Sequence, residues 1–139
     1  MNNMRIVNLF VCPAKGEREA ATALVFTPDG VVGDCHGGDK QVSLCSAAAF
    51  AALGRGAGLC TARYAPNVVL DGWRAFSVGD ELTLGTARLR ITALKACFPA
   101  DCALAQTGAP CALKDGAAFA RVIRQGAAAV GDVCKEESV

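Results

Sequence analysis

The sequence predicts a mainly β (α+β) fold: a β-barrel of short strands with two or three short helices. Three observations predict it. Short apolar or alternating runs recur along the chain, each bounded by Gly, Pro, Asp or Asn. Helical spacing is confined to brief stretches. Residues 81–95 show a clean period of two around a glycine turn. With 139 residues, 53% apolar and 19% charged, the chain is expected to form one domain, 1–139, able to bury its own core.

The elements follow in order. "MRIVNLFV" (4–11) and "ATALVFT" (21–27) read as strands joined by the polar "PAKGERE". "TPDG" (27–30) is a turn, because Pro28 presets φ and Gly30 tolerates positive φ. After the glycine-rich 33–40, "QVSLC" (41–45) reads as a strand, and Ser46 caps a short helix at 47–53 that stops at Gly54. "NVVL" (67–70) is a strand ended by "DGW". "ELTLG" (81–85) and "ARLRITALK" (87–95) form a hairpin in which Ala87, Leu89, Ile91 and Ala93 alternate with Arg88, Arg90 and Thr92. Residues 97–111 are irregular. Residues 116–125 are predicted to be an amphipathic helix, with Phe119, Val122 and Ile123 inside. "Val-Gly-Asp" occurs at 78–80 and again at 130–132, each time as a turn leading into a strand.

The charge balance excludes some partners. Fourteen basic and thirteen acidic residues leave a net charge of +1, without the basic footprint of a nucleic-acid binder. A local cluster of cations can still grip a small anion. No secretory signal and no membrane-spanning run is read, so the cytoplasm is the expected compartment.

Eight cysteines, at 12, 35, 45, 60, 97, 102, 111 and 134, stand out. In a reducing compartment they are buried fillers, metal ligands or reactive thiols. No Cys-x-x-Cys pair is present. Cys97 lies just past the predicted hairpin with Lys95 two residues before it, and a nearby cation favours the thiolate. Cys102 and Cys111 follow within the same segment; read as residues alone, the three are either soft ligands or small apolar fillers. "GDCHGGDKQVSL" (33–44) holds the only histidine, His36, among glycines whose backbone can approach an anion; the alternative is a plain turn. Arg63 and Arg74, in loops, are better anion-binding candidates than Arg88 and Arg90, which fit the wet face of a strand.

Taken in order, "GVVGDCHGG", "KQVSL", "YAPNVVLDG", "SVGDELTLGTARLRIT", "KAC" and "GAAFARVIRQGAAAVGD" resemble the MOSC domain, found at the C-terminus of molybdenum cofactor sulfurases and as small stand-alone proteins. The resemblance covers about residues 21–135. It implies a β-barrel-rich fold and a pocket for molybdopterin or its molybdenum form, a pterin dithiolene carrying a phosphate. It assigns Cys97 as molybdenum ligand or sulfur carrier, with Cys102 and Cys111 matching the further cysteines of a stand-alone subgroup. His36 matches the motif histidine, as a pocket wall or proton donor, and Gly37 and Gly38 follow it. Lys40, Gln41, Ser43, Arg63 and Asn67 are the cofactor-binding candidates. Lys40 stands where the family usually has Arg and lacks the bidentate fork. Pro66 replaces a Glu, and Phe98 a His.

The implied function is molybdenum cofactor binding in cofactor maturation, with sulfur or molybdenum handled through Cys97 and without pyridoxal phosphate. Molybdopterin-biosynthesis proteins or molybdoenzymes are the implied partners. Both sulfur transfer and molybdenum-dependent redox chemistry fit, so catalysis stays open. The alternatives are a molybdenum-cofactor-dependent reductase of N-hydroxylated compounds and a non-catalytic zinc- or ligand-binding module.

Overall fold

The computed structural model describes residues 3–14, 17–35, 41–52, 66–74, 76–94 and 117–137. Their strands are β1 (Met4–Val11), β2 (Glu19–Ala21), β3 (Ala23–Thr27), β4 (Gly30–Val31), β5 (Val42–Ser46), β6 (Val68–Asp71), β7 (Glu81–Leu84), β8 (Ala87–Leu94), β9 (Ala117–Arg124), β10 (Gly126–Ala129) and β11 (Val133–Glu137). One helix, α1 (Ala47–Ala52), follows β5.

Seven strands close a mixed barrel in the order β11-β7-β8-β9-β5-β6-β1, and β1 returns to β11. All pairings around the ring are antiparallel except β5 with β6, where Leu44 lies opposite Val68. Closure pairs each barrel strand on both sides, which leaves no sticky edge in the ring. β2 extends the sheet outside β1. A second sheet, β10-β3-β4, packs against the barrel, and its Leu24, Phe26, Val31 and Ala128 join the main core.

Alternation explains the core. Inward positions of the barrel strands are apolar: Met4, Ile6 and Leu9 on β1, Leu82 and Leu84 on β7, Leu89 and Ile91 on β8. A small barrel is filled by such side chains and leaves no central channel. β5 is buried on both faces, because α1 covers its outer side. There Phe10, Cys45, Val69 and Ala117 form a second cluster, against which Phe50 of α1 packs.

The predicted β-rich class holds, but the helix count does not. Among the described residues there is one helix, six residues long, rather than two or three. Residues 117–124 form strand β9, not the expected helix over 116–125. Phe119, Val122 and Ile123 carry helical spacing, yet Ala118, Ala120 and Val122 are buried at a period of two and Ile123 is exposed. Alanine is small and permissive, so its contribution to the strand pattern is faint in the sequence. Pairing on both sides, to β5 and to β8, overrides the local preference.

Both Val-Gly-Asp turns take the expected form. Gly79 and Gly131 have φ of 99° and 96°. The carboxylate of Asp80 accepts from the Ser77 N–H at 2.7 Å, and that of Asp132 from the Ala129 N–H at 2.8 Å. Arg88 and Arg90 sit on the wet face, where both pair with Glu81 at 2.7 and 2.8 Å. Hydrogen bonds from Arg90 and then Arg88 hold the Glu81 carboxyl below its usual range. Trp73 packs edge-on against Phe76, with ring centroids 4.9 Å apart.

Candidate ligand-binding site

Strand directions decide which chain ends meet. β5 and β6 are parallel, and β1 runs antiparallel to β6. The end of β1, the start of β5 and the start of β6 therefore share one rim of the barrel. That rim receives the chain from the segment holding His36 and from the one holding Arg63.

A buried polar node sits there, centred on Asn67. Its Oδ1 accepts from the Ser43 N–H at 2.9 Å. Its Nδ2 donates to the Phe10 carbonyl at 3.2 Å and to Asp34 Oδ1 at 2.9 Å. The same Asp34 oxygen accepts from the Cys12 N–H at 2.6 Å. Main-chain bonds complete the lacing: Phe10 N–H to the Asn67 carbonyl, Asn67 N–H to the Ser43 carbonyl, and Cys35 N–H to the Cys12 carbonyl at 2.9 Å. Full burial of Asn67 demands such partners, since an unmade hydrogen bond there is expensive.

Gln41 forms a second fastening. Its Nε2 donates to the Pro28 carbonyl at 2.8 Å, and its Oε1 accepts from the Val122 N–H at 2.9 Å. It ties the turn after β3, the start of β5 and strand β9 together. Ser43 is buried on β5, opposite Phe119.

Of the sequence-predicted site residues, Gln41, Ser43 and Asn67 are thus brought to one rim. His36, Gly37, Gly38, Lys40, Arg63, Cys97, Cys102 and Cys111 lie outside the described residues. β8 runs in the same direction as β5, through their shared antiparallel neighbour β9. The last described residue of β8, Leu94, pairs with Ala118, which pairs in turn with Leu44 of β5. The described strands bring together Gln41, Ser43, Asn67 and the residues that lead into the His36 segment.

Sequence reasoning overlooked Asp34 and Cys12. Asp34 was legible as the aspartate two residues before His36. Cys12 carried no signal beyond its type. Burial first, and then the Asp34 carboxylate, push the Cys12 thiol up to about 12. Burial pushes Cys45 and Cys134 up to about 12 as well. These three thiols are core fillers, while Cys35 is exposed. Among the described residues no group of three His, Cys, Asp or Glu side chains is placed to hold a metal ion. Among the described residues no helix is long and apolar enough to cross a membrane.

With this geometry, comparison with solved structures places the fold. The chain is similar in fold to the YuaD protein from Bacillus subtilis. The TM-score is 0.74 at 17% identity, over 99% of this chain and 97% of that one. YiiM from Geobacillus stearothermophilus is similar at a TM-score of 0.63 and 16% identity, covering 97% of this chain and 75% of that one. YiiM from Escherichia coli gives 0.62 and 18%, covering 97% and 70%. YiiM is a MOSC-domain protein, so these likenesses agree with a MOSC-like fold. No family model matches the chain, and no curated protein matches it in sequence.

Proposed function

We propose that the protein binds molybdopterin or its molybdenum form at the rim defined by Gln41, Ser43 and Asn67, and handles sulfur or molybdenum through Cys97. One observation carries the reading. The stem of the His36 motif, the Gln41-Val42-Ser43 motif and the Pro66-Asn67 motif converge on one rim of a barrel similar to YuaD and YiiM. The barrel interior is filled with apolar side chains, so an anionic ligand belongs at the rim and not within.

The roles divide by chemistry. Lys40 and Arg63 supply charge-assisted hydrogen bonds to the phosphate. The glycines at 37 and 38 allow backbone N–H groups to approach the pterin. His36 serves as pocket wall or proton donor. The Cys97 thiolate is a soft ligand for molybdenum and a nucleophile toward sulfur, and the motif order assigns it this place. Gln41 and Asn67 spend their described hydrogen bonds on the protein, so their part is to hold the rim in shape.

Binding is tested by titrating purified protein with molybdopterin and following pterin fluorescence. Saturable binding that is lost in a Lys40→Ala/Arg63→Ala variant supports the reading. Equal binding by that variant refutes the anion contacts. Transfer of sulfur to the bound ligand that survives in Cys97→Ala refutes the role of that thiol.

A further inference from the structure

We infer that Asp34 is a positioning residue: accepting from both Cys12 N–H and Asn67 Nδ2, it clamps the stem of the His36 segment against the barrel rim. The inference rests on the proposed reading for its functional meaning, because Asp34 and Cys35 lead directly into the segment to which that reading assigns ligand binding.

Three facts support it. Asp34 is only partly buried and belongs to no strand, so the barrel does not need it to close. Its Oδ1 nonetheless receives two donors, at 2.6 and 2.9 Å, from two different segments. One donor, Asn67, is itself held from β5 and β1, so the carboxylate is anchored to a rigid part of the fold. Flanking main-chain bonds continue the clamp: Asp34 N–H to the Val31 carbonyl at 3.0 Å, and Cys35 N–H to the Cys12 carbonyl at 2.9 Å. The Cys12 and Asn67 donors to Oδ1 are neutral N–H groups, so an acceptor oxygen at position 34 can receive them.

The sole histidine gives an isolated spectroscopic probe two residues away. The test compares the His36 imidazole NMR signal of ligand-free wild type with Asp34→Ala, Asn67→Ala, their double variant and Asp34→Asn. Gly79→Ala, strained at the turn before β7, controls for general destabilisation. The clamp predicts that Asp34→Ala shifts the signal and that the double variant matches the single ones. It predicts that Asp34→Asn shifts the signal less than Asp34→Ala does, and that Gly79→Ala keeps the wild-type signal. Amide exchange at Cys12 rises about tenfold in Asp34→Ala, as expected for one lost hydrogen bond.

An unchanged His36 signal in Asp34→Ala, or a shift equally large in Asp34→Asn or in Gly79→Ala, overturns the clamp. If Asn67→Ala does not fold, the two Asp34 variants decide alone. In a parallel titration the clamp predicts about tenfold weaker molybdopterin binding by Asp34→Ala, the cost of ordering a released stem. If wild type binds no molybdopterin, the proposed function falls, while the His36 and exchange measurements still judge the clamp.

Discussion

Gln41 spans two segments, donating to the Pro28 carbonyl and accepting from the Val122 N–H. Truncation strands a buried N–H on β9, and leaving such a donor unmet costs about 1–3 kcal/mol. Gln41→Ala is therefore expected to lower the free energy of unfolding by about 2 kcal/mol in urea melts. The sequence marked Gln41, Ser43 and Asn67 as motif residues, but it marked them as ligand contacts. Their partners lie 13 to 81 residues away, and only the fold makes such pairs visible. The buried thiols make a second prediction, about pH. Cys12, Cys45 and Cys134 are held up to about 12 from an ordinary 9.0. Between those values the unfolded chain releases protons that the folded chain keeps. Stability contributed by these thiols is thus full below about pH 9 and declines as pH rises towards 12. Urea midpoints taken from about pH 8 to about pH 11 should fall, and a Cys45→Ala/Cys134→Ala variant should fall less steeply.

Among the elements, the turn between β7 and β8 is locked to the start of β10 by close backbone approach. The Thr86 N–H donates to the Ala127 carbonyl at 3.0 Å, and the Ala127 N–H donates to the Thr86 hydroxyl at 2.9 Å. A Cβ on Gly126 would lie 2.5 Å from the Ala87 nitrogen. Backbone cannot yield as a side chain does, so Gly126→Ala should cost about 3 kcal/mol. Gly79 meets nothing within 4 Å, and its φ of 99° leaves strain as the only penalty. Gly79→Ala should cost about 1–2 kcal/mol, and paired urea melts rank the two variants. The hairpin at 81–95 was legible because large apolar residues alternate with arginines. β9 was not, because its inward positions at 118 and 120 are alanines, which fit helix and strand alike. The same small side chains let β9 sit between β5 and β8 in the closed ring.

The whole molecule is a closed barrel whose strand directions gather the His36 stem, the start of β5 and the start of β6 at one rim. The sequence conveyed the β-rich class and the motif order. It did not convey the closing pair of β1 with β11, which joins residues near opposite ends of the chain. The proposed binding of a molybdopterin-type cofactor is tested by combined pterin and metal analysis of protein purified from a molybdate-replete host. A fluorescent oxidised pterin in stoichiometric amount, accompanied by molybdenum, is expected. Protein that carries zinc and no pterin would contradict the proposed binding.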